Sequence, residues 1–359
     1  MSLVTLGDIC EFKYGKSLPA SARDPDGAYD VFGSNGVVGR HDAAITDGAT
    51  IVVGRKGSLG ELNYSESSCW PIDTTYYVDR TCTDVDLRWL FHAMAGLRLD
   101  ELNRAAAIPG LNRNDAYAKT ILLPSQIEQR RIAAILDKAD SLRAKRREAI
   151  AKLDQLLQSA FLEKFGDPVR NPKGWPQRSL SELARIQTGG TPPSSATEVF
   201  DGPIPFVTPG DLGGVITDSR RTVTPKGALL SRVASAGSTL VCCIGATIGK
   251  MGLAKQESAF NQQINSVTWR GEIEQLYGYY AMRFLAGEVA RRGASTTLPI
   301  LKKSEFEKLL ITVPRRSDQD EFGRLASAVE QQRTAYHQGI VHLEELFFSL
   351  RQEFFSGRA

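Results

Sequence analysis

Residues 124–166 read PSQIEQRRIAAILDKADSLRAKRREAIAKLDQLLQSAFLEKFG, and residues 314–356 read PRRSDQDEFGRLASAVEQQRTAYHQGIVHLEELFFSLRQEFFS. From Ile127 to Phe165 there is neither glycine nor proline, and Ile132, Ile135, Leu136, Ala139, Leu142, Ala149, Ile150, Leu153, Leu156, Leu157, Ala160 and Phe161 recur in steps of three and four. That spacing lays an apolar stripe along one long helix. Ser125 with Glu128 makes a capping box at its start, and Gly166 with Asp167-Pro168 ends it. The later stretch repeats the stripe through Phe322, Leu325, Ala326, Val329, Tyr336, Ile340, Leu343, Leu346, Phe347, Leu350 and Phe354, ending near Gly357.

The two stretches share a register. Pro124 and Gln129 fall on Pro314 and Gln319 at an offset of 190, and Leu153, Leu156, Ser159, Glu163 and Phe165 fall on Leu343, Leu346, Ser349, Glu353 and Phe355. Upstream, Ile108-Pro109 matches Leu298-Pro299, with NRND (112–115) against KKSE (302–305). TIVVGRKGSLG (50–60) matches TLVCCIGATIG (239–249) at offset 189, setting Arg55-Lys56 against Ile244-Gly245, and TLGDICEFKYG (5–15) matches SLSELARIQTG (179–189) at offset 174. Four segments in the same order make the chain a duplication. The falling offset assigns the second copy about fifteen extra residues, mostly in its first half.

A helix of some 40 residues is a rod of about 60 Å, and a domain of ordinary size cannot cover a stripe of that length. The other helix can. The expected fold is therefore α+β: two pseudo-twofold-related mixed α/β domains separated by two long helices that form an antiparallel coiled coil. The boundaries are 1–122 for the first domain, 123–166 for the first helix, 167–312 for the second domain with its entry linker, and 313–359 for the second helix. Ile135, Leu142, Leu153, Leu156, Val329, Tyr336, Leu343 and Leu346 are the expected packing residues between the helices.

Within the domains, β-branched runs such as ATIVV (49–53) and KLLITV (308–313) alternate with turns rich in glycine, asparagine and aspartate. Several loops combine glycine with cationic, amide or hydroxyl side chains. Glycine lets backbone approach a partner, arginine and amides bond base edges in pairs, and lysine or serine holds phosphate. The candidate DNA contacts are Ser34, Asn35, Arg55, Lys56, Ser58, Asn112, Arg113 and Asn114 in the first copy. In the second they are Gln187, Thr188, Thr191, Thr247, Lys250, Gln262, Gln263, Lys302 and Lys303.

Composition narrows the alternatives. A net charge of +3 permits a polyanionic partner without requiring one, and no apolar run approaches the eighteen residues of a membrane span. The N-terminus carries no secretion signal, so a cytoplasmic protein is expected. Five cysteines without a C-x-x-C pair read as buried reduced thiols. GATIGK (245–250) lacks the spacing and the hydroxyl of a phosphate-binding loop. His41, His92, His337 and His342 make no metal-ligand spacing and read as surface or helix residues. No catalytic, cofactor or metal constellation is expected in this chain. A two-headed scaffold joining proteins without touching DNA has the same outline, and DNA binding separates the two readings.

The two P-x-x-x-x-Q helix starts at Pro124/Gln129 and Pro314/Gln319 carry a resemblance, with the loop phrases VVGRKGSLG (52–60) and CIGATIGK (243–250). FGSNGVVGRHD (32–42), RIQTGGTP (185–192) and FVTPGDL (206–212) add to it. Over essentially its whole length the chain resembles the specificity subunit of Type I restriction-modification systems. The resemblance implies two target-recognition domains, each reading half of a bipartite asymmetric DNA site through the major groove, with the helix pair setting the unread gap. It also implies two modification subunits as partners, which bind S-adenosylmethionine and methylate adenine, and restriction-translocation subunits joined through them. This chain would supply no catalysis.

Overall fold

The computed structural model describes residues 2–102, 110–193, 195–294 and 298–355; Ile108-Pro109 lies outside them. The chain divides into two compact units, residues 1–147 with 338–359, and residues 148–337. The first holds helices α1 (Leu6–Ile9), α2 (Leu87–Gly96) and α3 (Arg113–Tyr117), and the first part of α4 (Gln126–Phe165). The second holds the rest of α4, then α5 (Leu180–Leu183), α6 (Pro225–Leu229), α7 (Gln275–Phe284), α8 (Ala286–Gly293) and α9 (Lys303–Phe306). It also holds the first part of α10 (Arg316–Phe355), whose end belongs to the first unit. Among the described residues no helix is long and apolar enough to cross a membrane.

In the first unit an antiparallel sheet runs β2 (Lys13–Tyr14), β8 (Thr75–Asp79), β5 (Thr50–Gly54), β6 (Leu62–Ser65). A smaller sheet orders β4 (Gly36–His41), β3 (Tyr29–Gly33) and β7 (Trp70–Pro71), and β1 (Ser2–Thr5) pairs with β9 (Thr120–Leu123). Strand β5 is buried throughout because both its faces are covered. Ile51 and Val53 enter the main core with Trp89, Leu90 and Met94 of α2, and Val52 joins Phe32 and Cys69 on the other side.

The second unit repeats this plan. Its main sheet runs β11 (Ala184–Thr188), β19 (Ile264–Trp269), β16 (Thr239–Cys242), β17 (Met251–Ala254), β13 (Val215–Ile216). The smaller sheet orders β14 (Thr222–Val223), β12 (Phe200–Val207), β18 (Ser258–Phe260) and β15 (Val233–Ala234), and β10 (Gln177–Ser179) pairs with β20 (Leu310–Thr312). Capping boxes Thr5/Asp8 and Ser179/Glu182 open α1 and α5. Gly15 and Gly189 are equivalent: a Cβ on either would lie 2.1 Å from a carbonyl oxygen, of Ile72 and of Asn261 respectively. Only glycine fits there.

One part of the sequence alignment is corrected. Gly15 and Gly189 donate to Thr75 and Ile264, and those residues pair with Gly54 and Cys242, so the central strands match at offset 188, not 189. Val53 then corresponds to Val241 in the main cores, and Val52 to Leu240 in the smaller clusters. A shift of one would exchange the faces. Leu111 N–H donates to Arg55 and Leu301 N–H to Cys243, so Arg55-Lys56 correspond to Cys243-Ile244. The extra residue sits in the following turn, which Gly60 N–H closes onto Gly54 and Gly249 N–H onto Cys242. The offset rises from 175 at Val207, which matches Phe32, to 188 at Leu240, so thirteen extra residues lie between; they include β13.

The P-x-x-x-x-Q motif acquires a physical meaning. Gln129 and Gln319 are 2% and 0% exposed, although amides are seldom buried without full hydrogen bonding. Each Nε2 donates to the carbonyl of its own motif proline, Pro124 or Pro314, at 2.9 Å. Each Oε1 accepts from the backbone N–H of the residue capping α2 or α7, Asp86 at 2.8 Å and Glu274 at 2.9 Å. The glutamine thereby ties the start of a long helix to the domain helix before it.

The long helices run antiparallel within each unit. In the first, Arg131 lies over Phe354 and Arg143 over Phe347, with Arg147 bound to Glu344 at 2.9 Å. In the second, Asp154 meets Arg333 at 3.0 Å and Lys164 meets Glu321 at 2.8 Å. Positions 143, 146, 150, 153 and 157 of α4 are shielded in three-four steps, as are 333, 336, 340, 343 and 347 of α10. Leu153, Tyr336 and Leu343 lie on these seams. Leu142, Leu156 and Leu346, expected between the helices, are instead 42%, 47% and 51% exposed. Each sits one residue off the seam, because the apolar stripe is wider than a coiled-coil contact line. Toward the helix ends Ile132, Leu136, Leu157, Phe161, Phe165, Phe322, Ala326 and Val329 enter the globular cores, with Ile135 half-buried beside them. Arg143 and Arg333 are related by the offset of 190, as are Asp154 and Glu344.

All five cysteines are free and buried, and burial pushes the Cys10 and Cys243 thiols up to about 12. His92 of α2 is also buried, its Nε2 2.7 Å from Asp137 of α4, with Arg88 on the same carboxylate. The carboxylate only accepts, so Nε2 carries the proton.

Replacing Gln129 or Gln319 by leucine strands a buried N–H and carbonyl, and should lower unfolding free energy by about 1–3 kcal/mol in urea denaturation. An unchanged midpoint would show that the clamp adds no net stability. Burial holds the His92 pKa below its ordinary 6.5, against the pull of Asp137, so the folded state binds fewer protons than the unfolded one. This contribution is present above about pH 6.5 and is lost as pH falls through the depressed value. Thermal melts from pH 8 to 5 should fall more steeply for the native chain than for His92→Phe.

Candidate nucleic-acid interface

In the first unit three segments converge beside the end of the main sheet: the loop after β5, the lead into α3, and the paired ends of β2 and β8. Arg55 and Lys56 N–H both donate to Thr74 O, at 2.9 and 3.1 Å, and Ser34 Oγ donates to the same oxygen at 2.7 Å. Lys56 bridges to Gly110, which brings Asn112-Arg113-Asn114 alongside. Asn112 caps α3, its Oδ1 accepting from Asn114 N–H at 2.8 Å. The result is a groove of about 400 Å³ lined by Tyr14, Arg55, Lys56, Tyr76, Leu111 and residues 112–114. Among the described residues, three cations and no carboxylate line it, the balance that favours a polyanion.

The guanidiniums are held on aromatic faces. Arg55 stands 5.3 Å from the Tyr14 ring centre and 5.8 Å from that of Tyr76, and its Nη2 donates to Asp73 O at 2.6 Å. Arg113 stands 5.7 Å from both Tyr14 and Tyr117, with Nη1 3.4 Å from Phe12 O. Burial, then the neighbouring Tyr14, pushes the Tyr76 phenol up to about 12, and its hydroxyl donates to Leu111 O. Five candidates, Arg55, Lys56, Asn112, Arg113 and Asn114, thus share one groove. Ser34 is a buried brace, and Asn35 is exposed on the adjoining turn; Ser58 is half-buried in the loop after β5.

The second unit builds the equivalent place from other chemistry. Thr188 and Asn265 stand where Tyr14 and Tyr76 stand, and their side chains bond each other at 2.7 Å. Cys243-Ile244 replace Arg55-Lys56, and Lys302-Lys303-Ser304 replace Asn112-Arg113-Asn114. Thr191 Oγ1 donates to Gln262 Oε1 at 2.5 Å. Gln263 is engaged internally, accepting from Asn261 at 3.0 Å and donating to Ile244 O at 3.4 Å. Lys250 is turned onto the carbonyls of Pro209 and Gly210 in the extra segment, at 3.2 and 3.4 Å. Thr247 and Lys302 are exposed, Gln187 is half-buried on β11, and exposed Lys303 pairs with Glu307 at 3.4 Å. Gly245–Lys250 runs into β17, not into a helix N-terminus as a phosphate loop would.

Tyr14 and Tyr76 escaped sequence reasoning. Tyr14 precedes the obligatory Gly15 and Tyr76 lies in an aromatic pair, but only the pleat shows which ring reaches the groove.

A family model described as Type I restriction modification DNA specificity domain matches residues 1–152 and 172–343. The chain is 28% identical over 143 residues to the Type I restriction enzyme EcoprrI specificity subunit of Escherichia coli, covering 38% of this chain and 35% of that protein. It is 30% identical over 155 residues to the HindI specificity subunit of Haemophilus influenzae, covering 40% and 33%. The chain thus spans only about a third of the length of the curated relatives it matches. Among solved structures, the S subunit of a Type I restriction-modification system from M. genitalium shares the fold, with a TM-score of 0.74 at 17% identity over 99% of this chain and 96% of that one. A structure described under complex assembly and conformational transition of the type I R-M system aligns with a TM-score of 0.53 at 20% identity, covering 98% and 96%.

If the Tyr14 ring holds Arg113, a double-mutant cycle of Tyr14→Leu and Arg113→Gln, followed by denaturation, should give a coupling of about 0.5–1 kcal/mol. Strict additivity would remove the ring from the argument.

Proposed function

This chain belongs to the Type I restriction modification DNA specificity family, and we propose that it is the DNA-reading subunit of a restriction-modification complex, each unit reading one half of a bipartite target. The observation that carries the reading is one frame built twice with its contact surface rewritten. Gly15/Gly189, the capping boxes and the buried glutamines are retained, while Tyr14, Arg55, Lys56 and Arg113 give way to Thr188, Cys243, Ile244 and Lys303. A duplication kept for a shared stable frame and altered where it meets its partner suits two dissimilar half-sites in double-stranded DNA.

In this reading the chain performs no bond-making step. Arg113 and its neighbours present planar donors to base edges, and Lys56 neutralises phosphate. Adenine methylation, with S-adenosylmethionine, belongs to two modification subunits, and restriction-translocation subunits join through them. The outward-facing Leu142, Leu156, Val341, Leu346 and Phe348 of the long helices offer apolar surface for such partners. The complex works on DNA in the cytoplasm.

Genome-wide mapping of N6-methyladenine in cells producing this chain with its modification subunits, against cells lacking the chain, tests the reading. The expected result is a new methylated motif of two dissimilar halves around a fixed gap. A stable complex that leaves methylation unchanged would point to a protein scaffold.

A further inference from the structure

The first unit's groove and the equivalent place in the second unit differ in the kind of hydrogen-bonding edge they expose. In the first unit, Arg113 is carried by a capped helix start and flanked by the Tyr14 and Tyr117 rings, and its Nη1 donates to Phe12 O at 3.4 Å. A guanidinium ordered on aromatic faces is preorganised, and its planar fork matches two acceptors side by side. In DNA's major groove that pair is O6 and N7 of guanine. Arg55 differs: Nη2 is spent on Asp73 O and its buried Nε has no partner among the described residues, so it braces the groove against Tyr14 and Tyr76. In the second unit, among the described residues, Cys243 and Lys303 stand where Arg55 and Arg113 stand, and no arginine occupies the equivalent place. The exposed amide there is Gln262, whose Oε1 accepts from Thr191 with one lone pair, which fixes the oxygen side and leaves the second lone pair as acceptor and Nε2 as donor. Oxygen beside N–H is the pattern that complements N6 and N7 of adenine. Neighbouring Gln263 has both ends of its amide engaged within the protein.

We propose, resting on the DNA-reading function above, that the first unit reads a guanine through Arg113 and the second reads an adenine through Gln262. Arg113 is the specificity-determining residue of one half-site and Gln262 that of the other, with Arg55 and Thr191 acting as positioning residues.

The test uses the full chain with its modification subunits in cells carrying a plasmid library with randomised target positions, and methylation is read at every variant site. Arg113→Gln and Arg113→Lys should relax one G·C position in one half-site, cutting discrimination there roughly tenfold or more, with the other half-site read as before. Gln262→Ala should do the same at an A·T position in the other half. The retained half-site reports that each variant is folded and assembled, and the milder Arg113→Lys guards against loss of the complex. The inference is overturned if Arg113 variants relax an A·T position, or weaken methylation equally at all sites, the mark of a phosphate contact. It is likewise overturned if Gln262→Ala leaves every position unchanged or relaxes a G·C pair. Native chain that assembles yet directs no sequence-dependent methylation removes the DNA-reading function itself, and this assignment with it.

Discussion

The buried amides of Gln129 and Gln319 are the constraint on which the rest is built. Each is almost wholly removed from water, and each joins the first turn of a forty-residue helix to the N-cap of a helix of its globular unit, Asp86 of α2 or Glu274 of α7. A buried amide with its donor and acceptor satisfied is directional, which the apolar contacts around it are not. It sets where the long helix leaves the domain, and hence which residues of its stripe enter the core. In the first unit these include Ile132 and Leu136; in the second, Phe322 and Ala326.

Given that exit, the long helices meet within each unit as antiparallel partners, and the polar rungs follow the duplication. Arg143 with Glu344 and Arg333 with Asp154 are the same pair written twice, and both arginines are largely shielded, with 22% and 13% of their side chains exposed. Charged groups placed on such a seam favour one register over the slips that leucine alone would tolerate. The two units diverge a short distance away. The domain helix reaches its long helix through His92 and Asp137 in one unit and through Tyr280 and Glu330 in the other, an imidazole–carboxylate link in one case and a phenol–carboxylate link in the other.

Divergence is greatest where backbone loops, not packed strands, carry the side chains. The tight turns after β5 and β16 are held by equivalent backbone hydrogen bonds, to Gly54 and to Cys242, so their side chains are free to differ. One copy offers arginine, lysine and tyrosine in a groove lined, among the described residues, by no carboxylate; the other has Thr188 bonded to the buried Asn265 and Thr191 bonded to the exposed Gln262, with Lys302 and Lys303 exposed. Frame and surface have thus changed independently, as loops on a rigid scaffold allow.

The sequence by itself determined the duplication, the two long helices with their start at Pro-x-x-x-x-Gln, the buried thiols, and the loops that hold Arg55 and Arg113. All of these rest on periodicity, spacing or residue type, which one dimension preserves. Tertiary structure alone decided the register of the central strands, where a slip of one residue turns Val52 from one cluster to the other, and the inner or outer placing of Leu142, Leu156 and Leu346. It also decided that Tyr14 and Tyr76 lie against the arginines, that Lys250 and Gln263 are spent on their own backbone or amide neighbours, and that Arg113 is half-buried between rings while Gln262 is exposed. The physical reason is that a strand's face and a side chain's partners depend on pairing between residues far apart in the chain, and no local pattern of residue types encodes that distance.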